Sequence, residues 1–271
     1  MLKQHSRKAV FIVMMILAMF GMVGCDSKDE KAAKKIVEVL QEKYSKEFVV
    51  DSLGGGWGTM NSNTLKAIVY PKDEPTMKVL VEITKDLKQV YDNYLNHVVA
   101  RAAEKPIEQI ANSIWGESRV EVTNDTGMTY PEHTDTNMSY EQFLTLYPMN
   151  YQLVSVYLNS DSYINDDGDM NLEGEMEKYR TFAKKLVEEK YRRSSVYINY
   201  ITPDGYERFD EASRSDRSID GFYREEEEKL GTTYIATVIG YELDDQGVIT
   251  TTKEEFEQNY EVWKEERLKS R

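Results

Sequence analysis

The sequence is poor in the residue types that most often carry nucleophilic and metal chemistry. Its 271 residues include one cysteine, Cys25, and three histidines, which excludes a disulfide within the chain and disfavours a zinc site of His and Cys ligands. No G-x-S-x-G or H-E-x-x-H motif occurs, and a Ser-His-Asp triad would depend on one of the few histidines. We therefore expect no catalytic residue, no metal site and no cofactor.

Positive charge is also scarce. The chain has 34 Lys and Arg residues against 48 Asp and Glu residues, which gives a net charge of −14. An excess of negative charge repels the phosphates of nucleic acids and the headgroups of anionic lipids. We therefore predict that nucleic acid is not a partner and that the globular part of the protein stays off the bilayer surface.

The first 24 residues have the pattern of a secretory signal. A start with three basic residues and no acid precedes a run from Ala9 to Val23 in which every residue is apolar or glycine. This run is shorter than the roughly 20 residues that a spanning helix needs. We expect residues 1–24 to be a signal peptide and the rest of the chain to be exported.

The end of this run, "MVGC", resembles the lipobox of bacterial lipoproteins. Val23 and Gly24 fit the family pattern, whereas Met22 replaces its commonest residue, leucine. The resemblance implies cleavage between Gly24 and Cys25, a diacylglyceryl group on Cys25, and anchoring at the extracytoplasmic face of the cell membrane. Two acyl chains give a stable anchor, since one chain alone binds marginally. The alternatives are an ordinary signal peptide with a chance cysteine and an uncleaved anchor helix.

The residues after the signal peptide predict an α+β fold. Most strand patterns follow other strand patterns rather than alternating with helices, which favours antiparallel sheets. We predict two small α+β units at residues 25–123 and 139–271, joined by a linker at 124–138 that is rich in turn formers. A helix that ends in Lys-Tyr and leads into strands occurs in both units and hints at a duplication.

Capping patterns predict where several helices begin. A Ser or Thr precedes a Glu or Gln by three residues in three places: Ser27 with Glu30, Ser139 with Gln142, and Thr252 with Glu255. A further helix is predicted from about Asp86 to Trp115, with Pro106 expected to bend or break it.

The glycine cluster "GGGWG" lies between two predicted strands and is the most conspicuous candidate site. Neither G-x-G-x-x-G nor a P-loop fits its spacing. We interpret it as a bend that glycine permits, with Trp57 packed beside it. The alternative is a ligand-binding loop formed by Gly55, Gly56 and Trp57.

A longer run from the same cluster carries a second resemblance. The stretch "GGGWGTMNSNTLKAIVYPKDEP", with "VYDNYLN" after it, resembles small uncharacterised lipoproteins of Gram-positive bacteria over about residues 30–123. The resemblance implies a Gram-positive cell surface and assigns no functional residue.

The stretch "NDDGDMNLEG" places oxygen donors at alternate positions around a glycine, which is the pattern of a calcium loop. An EF-hand register fails, because Tyr163 and Gly174 fall where acids are required. We interpret the stretch as a turn followed by a helix that Asn171 caps. The alternative is a calcium site formed by Asp167, Asp169 and Asn171.

These observations favour a non-catalytic binding module, anchored by its lipid and acting on a protein or envelope partner. The 19 tyrosines support this expectation, because tyrosine suits half-exposed strands and binding surfaces. Two alternatives remain. One is a solute-binding lipoprotein of a transporter, and the other is an envelope hydrolase that uses a pair of the many carboxylates.

Overall fold

The structure is a computed structural model that describes residues 28–54, 63–124, 128–130, 135–215, 217–244, 246 and 248–269. These residues form two four-stranded sheets with helices packed on them, so the predicted α+β class is confirmed. The elements in chain order are α1 (Lys28–Tyr44), β1 (Phe48–Leu53), β2 (Thr64–Pro71), β3 (Val79–Thr84), β4 (Val90–Asp92), α2 (Tyr94–Trp115), β5 (Arg119–Thr123), α3 (Tyr140–Leu146), β6 (Gln152–Asn159), α4 (Leu172–Glu188), β7 (Ser194–Ile201), α5 (Pro203–Glu207), α6 (Phe209–Ser213), α7 (Ile219–Leu230), β8 (Ile235–Glu242) and α8 (Lys253–Lys269).

The first sheet is an antiparallel meander in which β1, β2, β3 and β4 pair in chain order. Alternate strand residues point to one side of the sheet, where Val69 and Val81 are buried. Helix α1 covers this side because its buried residues recur every four positions, at Ala32, Ile36 and Leu40. The apolar stripe of the helix and the pleat of the strands therefore form one core.

A buried ion pair fixes the end of α1 against β4. The side chains of Lys43 and Asp92 are 3% and 1% exposed, and Nζ lies 2.9 Å from Oδ2. The hydroxyl of Tyr44 and the backbone N–H of Tyr94 both donate to Oδ1 of Asp92, at 2.7 and 3.0 Å. The backbone of Asp92 also exchanges two hydrogen bonds with Tyr130. One carboxylate thus joins α1, the first sheet and the start of α2.

Helix α2 contributes to the cores of both sheets. Tyr94 at its start packs in the core of the first sheet, whereas Ile107 and Trp115 pack in the core of the second. A single helix of 22 residues therefore links the two sheets.

The start of α2 differs from the prediction near Asp86. Residues 90–92 pair with β3 as strand β4, and the helix begins only at Tyr94. Leu87 has a φ of 61°, in the left-handed region, which interrupts any helix at that point. Pro106 lies inside the helix, which continues to Trp115, so the proline does not break it.

The second sheet has the order β5-β6-β7-β8, and its central pair is parallel. The β6–β7 connection contains α4, as a parallel pair needs a crossover, and the other pairs are antiparallel. The predicted preference for antiparallel pairing is confirmed. The first sheet lacks such a crossover, so the second sheet does not repeat its topology. The division at residues 124–138 stays a prediction, although β5 before that segment pairs with β6 after it.

Helices cover one face of the second sheet fully and the other face in part. Helices α2 and α4 pack on the first face, around Ile198 and Tyr241, together with Phe256 and Tyr260 of α8. Helix α8 lies beside β8, and its Trp263 packs on the opposite face. Helices α5, α6 and α7 pack on the opposite face, over Tyr157 and Ile201. Tyr197, further along this second face, is 41% exposed. Part of the sheet therefore remains open to solvent.

Candidate functional site

A groove opens on the part of the second sheet that α5, α6 and α7 leave uncovered. Strands β6, β7 and β8 and the loop between α3 and β6 border an open cavity of about 810 Å³. Pockets of roughly 300–1,000 Å³ are typical of ligand sites in proteins. We call this cavity the Tyr groove and define it by six of its lining residues: Met149, Tyr151, Leu153, Ser195, Tyr197 and Glu242.

The central side chain of the Tyr groove is set by strand alternation. Val196 and Ile198 point into the core, so Tyr197 between them points to the open face. Its cross-strand partner is Gly240. A Cβ atom at position 240 would lie 3.0 Å from Cε1 of Tyr197. The ring therefore packs against the backbone of residue 240, where glycine has no side chain to obstruct it.

The loop between α3 and β6 forms the opposite wall of the groove. The guanidinium of Arg193 donates to the carbonyl of Pro148, which ties the loop to the start of β7. Asn150 is buried, and its Nδ2 donates to the hydroxyl of Tyr130 at 2.9 Å. These two contacts fix the loop while Met149 and Tyr151, on either side of Asn150, stay exposed.

Three large side chains stand exposed together in the groove. Met149 is 80% exposed, Tyr151 47% and Tyr197 41%. Exposed apolar side chains that stand singly need no explanation, but a group that lines one concavity marks a binding surface. Tyrosine and methionine are also enriched at protein interfaces. The Tyr groove is therefore the strongest candidate site in the described part of the chain.

A smaller, more polar cavity of about 370 Å³ adjoins the Tyr groove. It shares Ser195, Tyr197 and Glu242 with the groove, and α8 adds the amides of Gln258 and Asn259. The two cavities adjoin at these three residues, and we refer to them together as the channel around Tyr197. The larger cavity contributes the side chains of Met149, Tyr151 and Leu153 to this channel, and the smaller one offers mainly hydrogen-bonding groups.

The charged groups of the smaller cavity are carboxylates. The side chain of Glu242 is exposed and forms no hydrogen bond or ion pair with any residue that the structure describes. Glu255 accepts hydrogen bonds from the backbone N–H and the hydroxyl of Thr252, which lower its pKa. Both side chains thus place negative charge beside the Tyr197 ring.

A second polar group, centred on Glu175, is buried rather than open. Oε2 of Glu175 accepts from the indole N–H of Trp115 at 3.0 Å and from the hydroxyl of Tyr200 at 2.8 Å. Lys178 donates to Oε1 at 2.6 Å, and Tyr179 lies 2.7 Å from the Tyr200 hydroxyl. Because these partners satisfy the carboxylate inside the core, we interpret the group as structural.

A third group brings together the carboxylates of Glu104, Glu121 and Asp220. Burial raises the pKa of Glu121 to about 7, and the nearby charges of Asp220 and Glu104 act in the same direction. The hydroxyl of Tyr157 donates to Oε2 of Glu121 at 3.3 Å, which partly opposes this rise. Burial likewise raises the pKa of Asp220. This group lies under α7, away from the Tyr groove.

Comparison with known proteins adds a likeness of fold. The sequence matches no family model and no curated protein. A crystal structure of a DUF5037 family protein from the Gram-positive bacterium Ruminococcus gnavus resembles this chain with a TM-score of 0.47. The two are 16% identical, and the match covers 84% of this chain and 98% of that one. A likeness at this level supports no conclusion about fold or function.

Two of the sites predicted from the sequence lie outside the described residues. They are the lipidation and cleavage site, Gly24 and Cys25, and the glycine-rich loop with Gly55, Gly56 and Trp57. Both stay predictions. No helix in the described part of the chain is long and apolar enough to cross a membrane.

Of the three residues of the calcium alternative, Asp169 and Asn171 contact other groups of the protein, and Asp167 is exposed. The amide oxygen of Asn171 accepts from the N–H of Gly174 and so caps α4. The carboxylate of Asp169 lies 2.5 Å from Nζ of Lys264 on α8. Within the described residues, no group of three or more His, Cys, Asp and Glu side chains is placed to hold a metal ion. These contacts support the interpretation as a turn before a capped helix.

The sequence analysis did not single out the residues of the Tyr groove. A glycine inside the apolar strand pattern "TTYIATVIGYEL" does indicate a close approach of another group to the backbone. The partner of that glycine depends on the pairing of β7 with β8. No local pattern specifies this pairing.

Proposed function

We propose that the protein is a membrane-anchored, extracytoplasmic lipoprotein that acts as a non-catalytic binding module. Its site is the Tyr groove, and its partner is a protein of the cell envelope. The lipobox-like "MVGC" supports the anchor, and the net charge of −14 disfavours nucleic acid as a partner. The joint exposure of Met149, Tyr151 and Tyr197 in one concavity is the observation that carries the binding role.

Chemical cross-linking on intact cells tests this function. The unaltered protein is expected to capture a defined envelope protein. A Cys25→Ser variant should lose the capture because it cannot be lipidated, and a Tyr151→Ser/Tyr197→Ser variant should lose it while staying at the membrane. The exposed Leu230 on α7 offers a matched control, since Leu230→Ser is expected to leave capture unchanged. Capture that survives both groove substitutions would contradict the assigned site.

A second candidate, a solute-binding lipoprotein that serves a transporter, has the size of the cavity in its favour. A volume of about 810 Å³ would also hold a small solute. A thermal-shift screen separates the two functions, because a ligand at 100 times its Kd adds about 2.7 kcal/mol of stability and raises Tm. A small solute that raises Tm in the unaltered protein but not in the Tyr197→Ser variant would replace the protein partner proposed above.

A further inference from the structure

The two adjoining cavities, of about 810 and 370 Å³, offer room on both sides of Tyr197 for more than one side chain of a ligand. The two cavities share Ser195, Tyr197 and Glu242, so a bound chain would pass the Tyr197 ring on its way from one to the other. The larger cavity offers Met149 and Tyr151, whose side chains suit the varied contours of a peptide. Methionine is adaptable, and tyrosine gives a large contact at a low cost in conformational entropy.

The channel also exposes backbone groups that an extended peptide can pair with. Strand β8 is the last strand of the second sheet. The carbonyl of Glu242 points away from β7, because it accepts a hydrogen bond from the backbone N–H of Thr250 at 3.1 Å. Peptide groups alternate along a strand, so the backbone of Gly240 points the same way. No hydrogen bond joins Gly240 on that side to another described residue. Helix α8 packs beside β8, so these groups of Gly240 face the smaller cavity between β8 and α8, where a peptide group of a ligand can pair with them.

The charged side chains of the smaller cavity are carboxylates, which favour a cationic peptide, whereas the guanidinium of Arg193, which also lines the Tyr groove, donates to the carbonyl of Pro148. Glu242 is an exposed carboxylate without a partner among the described residues, and Glu255 adds a second negative charge in the same cavity. The whole chain is acidic, with a net charge of −14, so its field attracts cationic segments and repels acidic ones. A cation held near Glu242 would also face the electron-rich ring of Tyr197.

We propose that the Tyr groove binds an extended peptide segment that carries a lysine or arginine side chain. The basic side chain lies between Glu242 and the Tyr197 ring. The peptide residues on one side of it contact Met149 and Tyr151, and those on the other side reach the backbone of Gly240. This assignment rests on the proposed function and names the chemistry of its partner.

Peptide binding to the full chain in mild detergent tests the assignment. The probes are a fluorescent Gly-Val-Lys-Val-Gly peptide with blocked ends, the same peptide with Glu in place of Lys, and unlabelled cellohexaose as a neutral competitor. Fluorescence anisotropy should give a Kd about tenfold lower for the Lys peptide than for the Glu peptide, since a charge-assisted contact is gained. Higher salt should reduce this preference.

Matched variants locate the contacts. Glu242→Gln should reduce the preference for the Lys peptide over the Glu peptide to about twofold. Tyr197→Ser should raise the Kd of the Lys peptide by about tenfold. Glu228→Gln removes one negative charge from an exposed position on α7 and is expected to leave the preference unchanged. Circular dichroism of each variant separates lost binding from lost folding.

The outcomes distinguish this assignment from the function on which it rests. Equal affinity for the Lys and Glu peptides would overturn the assignment. It would also be overturned if cellohexaose displaced the Lys peptide and bound with a lower Kd than that peptide. If no peptide binds but cell cross-linking through the groove succeeds, the basic-peptide assignment is wrong and the binding role stands. If cross-linking through the groove fails as well, the proposed function is wrong too.

Discussion

Replacing Glu121 with glutamine is expected to stabilise the protein at pH 8 and to leave its stability unchanged near pH 4. Burial, with Asp220 and Glu104 nearby, raises the pKa of this carboxyl from 4.5 to about 7 in the folded protein. Below pH 4.5 the group is protonated in both the folded and the unfolded states. As the pH rises toward 7, the unfolded state releases a proton that the folded state keeps, so the free energy of unfolding falls. Above pH 7 this loss is complete.

The magnitude follows from the size of the pKa change. A rise from 4.5 to about 7, at about 1.4 kcal/mol per unit, corresponds to roughly 3 kcal/mol. We expect about 2 kcal/mol, because water still reaches this half-buried side chain and screens its charge. Glutamine keeps an oxygen that can accept from the Tyr157 hydroxyl, so the substitution removes the titration and little else.

Urea unfolding followed by tryptophan fluorescence, at intervals from pH 4 to pH 8, measures the effect. The difference in unfolding free energy between Glu121→Gln and the unaltered protein should grow from near zero to about 2 kcal/mol across that range. Glu228→Gln, on the exposed side of α7, serves as the control and should show no such trend. A difference that is constant with pH, or a glutamine variant less stable at pH 8, would refute the reasoning.

The remaining predictions concern the two buried carboxylates and the groove glycine. Lys43→Ala leaves the buried charge of Asp92 uncompensated and should cost about 3–5 kcal/mol in urea unfolding, and adding Asp92→Asn should recover part of it. No recovery would show that Lys43 acts by packing alone. Glu175→Ala removes the acceptor of two buried donors and should also cost about 3–5 kcal/mol. A cost below about 1 kcal/mol would mean that water replaces the carboxylate. Gly240→Ala should displace the Tyr197 ring and weaken peptide binding, with a change in unfolding free energy of about 1 kcal/mol or less. If Gly240→Ala leaves peptide binding unchanged, the position of the Tyr197 ring does not matter for binding.

Helix starts were predictable because their signals are local. Ser139 accepts from the N–H of Gln142, whose side chain accepts from the N–H of Ser139 in return. Thr252 and Glu255 form the same reciprocal pair at the start of α8. Each of these contacts spans three residues, so the sequence shows both partners together. Ser27 lies outside the described residues, and α1 begins in the described part at Lys28.

The start of α2 and the Tyr groove were not predictable because distant residues decide them. Residues 90–92 become a strand through pairing with β3, which an apolar helical pattern does not reveal. Strand β7 pairs in parallel with β6, and its antiparallel pairing with β8 places Gly240 opposite Tyr197. A tyrosine in an alternating strand pattern has the same appearance whether a helix covers it, as with Tyr157, or solvent does, as with Tyr197. The candidate site therefore depends on how α5, α6 and α7 pack.

The central claim, that the Tyr groove is where an envelope partner binds, is tested most directly by a photo-cross-linking amino acid placed at single positions on intact cells. Met149 is the probe position, because its side chain is the most exposed in the groove at 80%, and Leu230 on α7, 61% exposed, is the reference. The account predicts that a defined protein is captured from Met149 and not from Leu230, and that Tyr197→Ser abolishes the capture. Equal capture from both positions, or none from Met149, would contradict it.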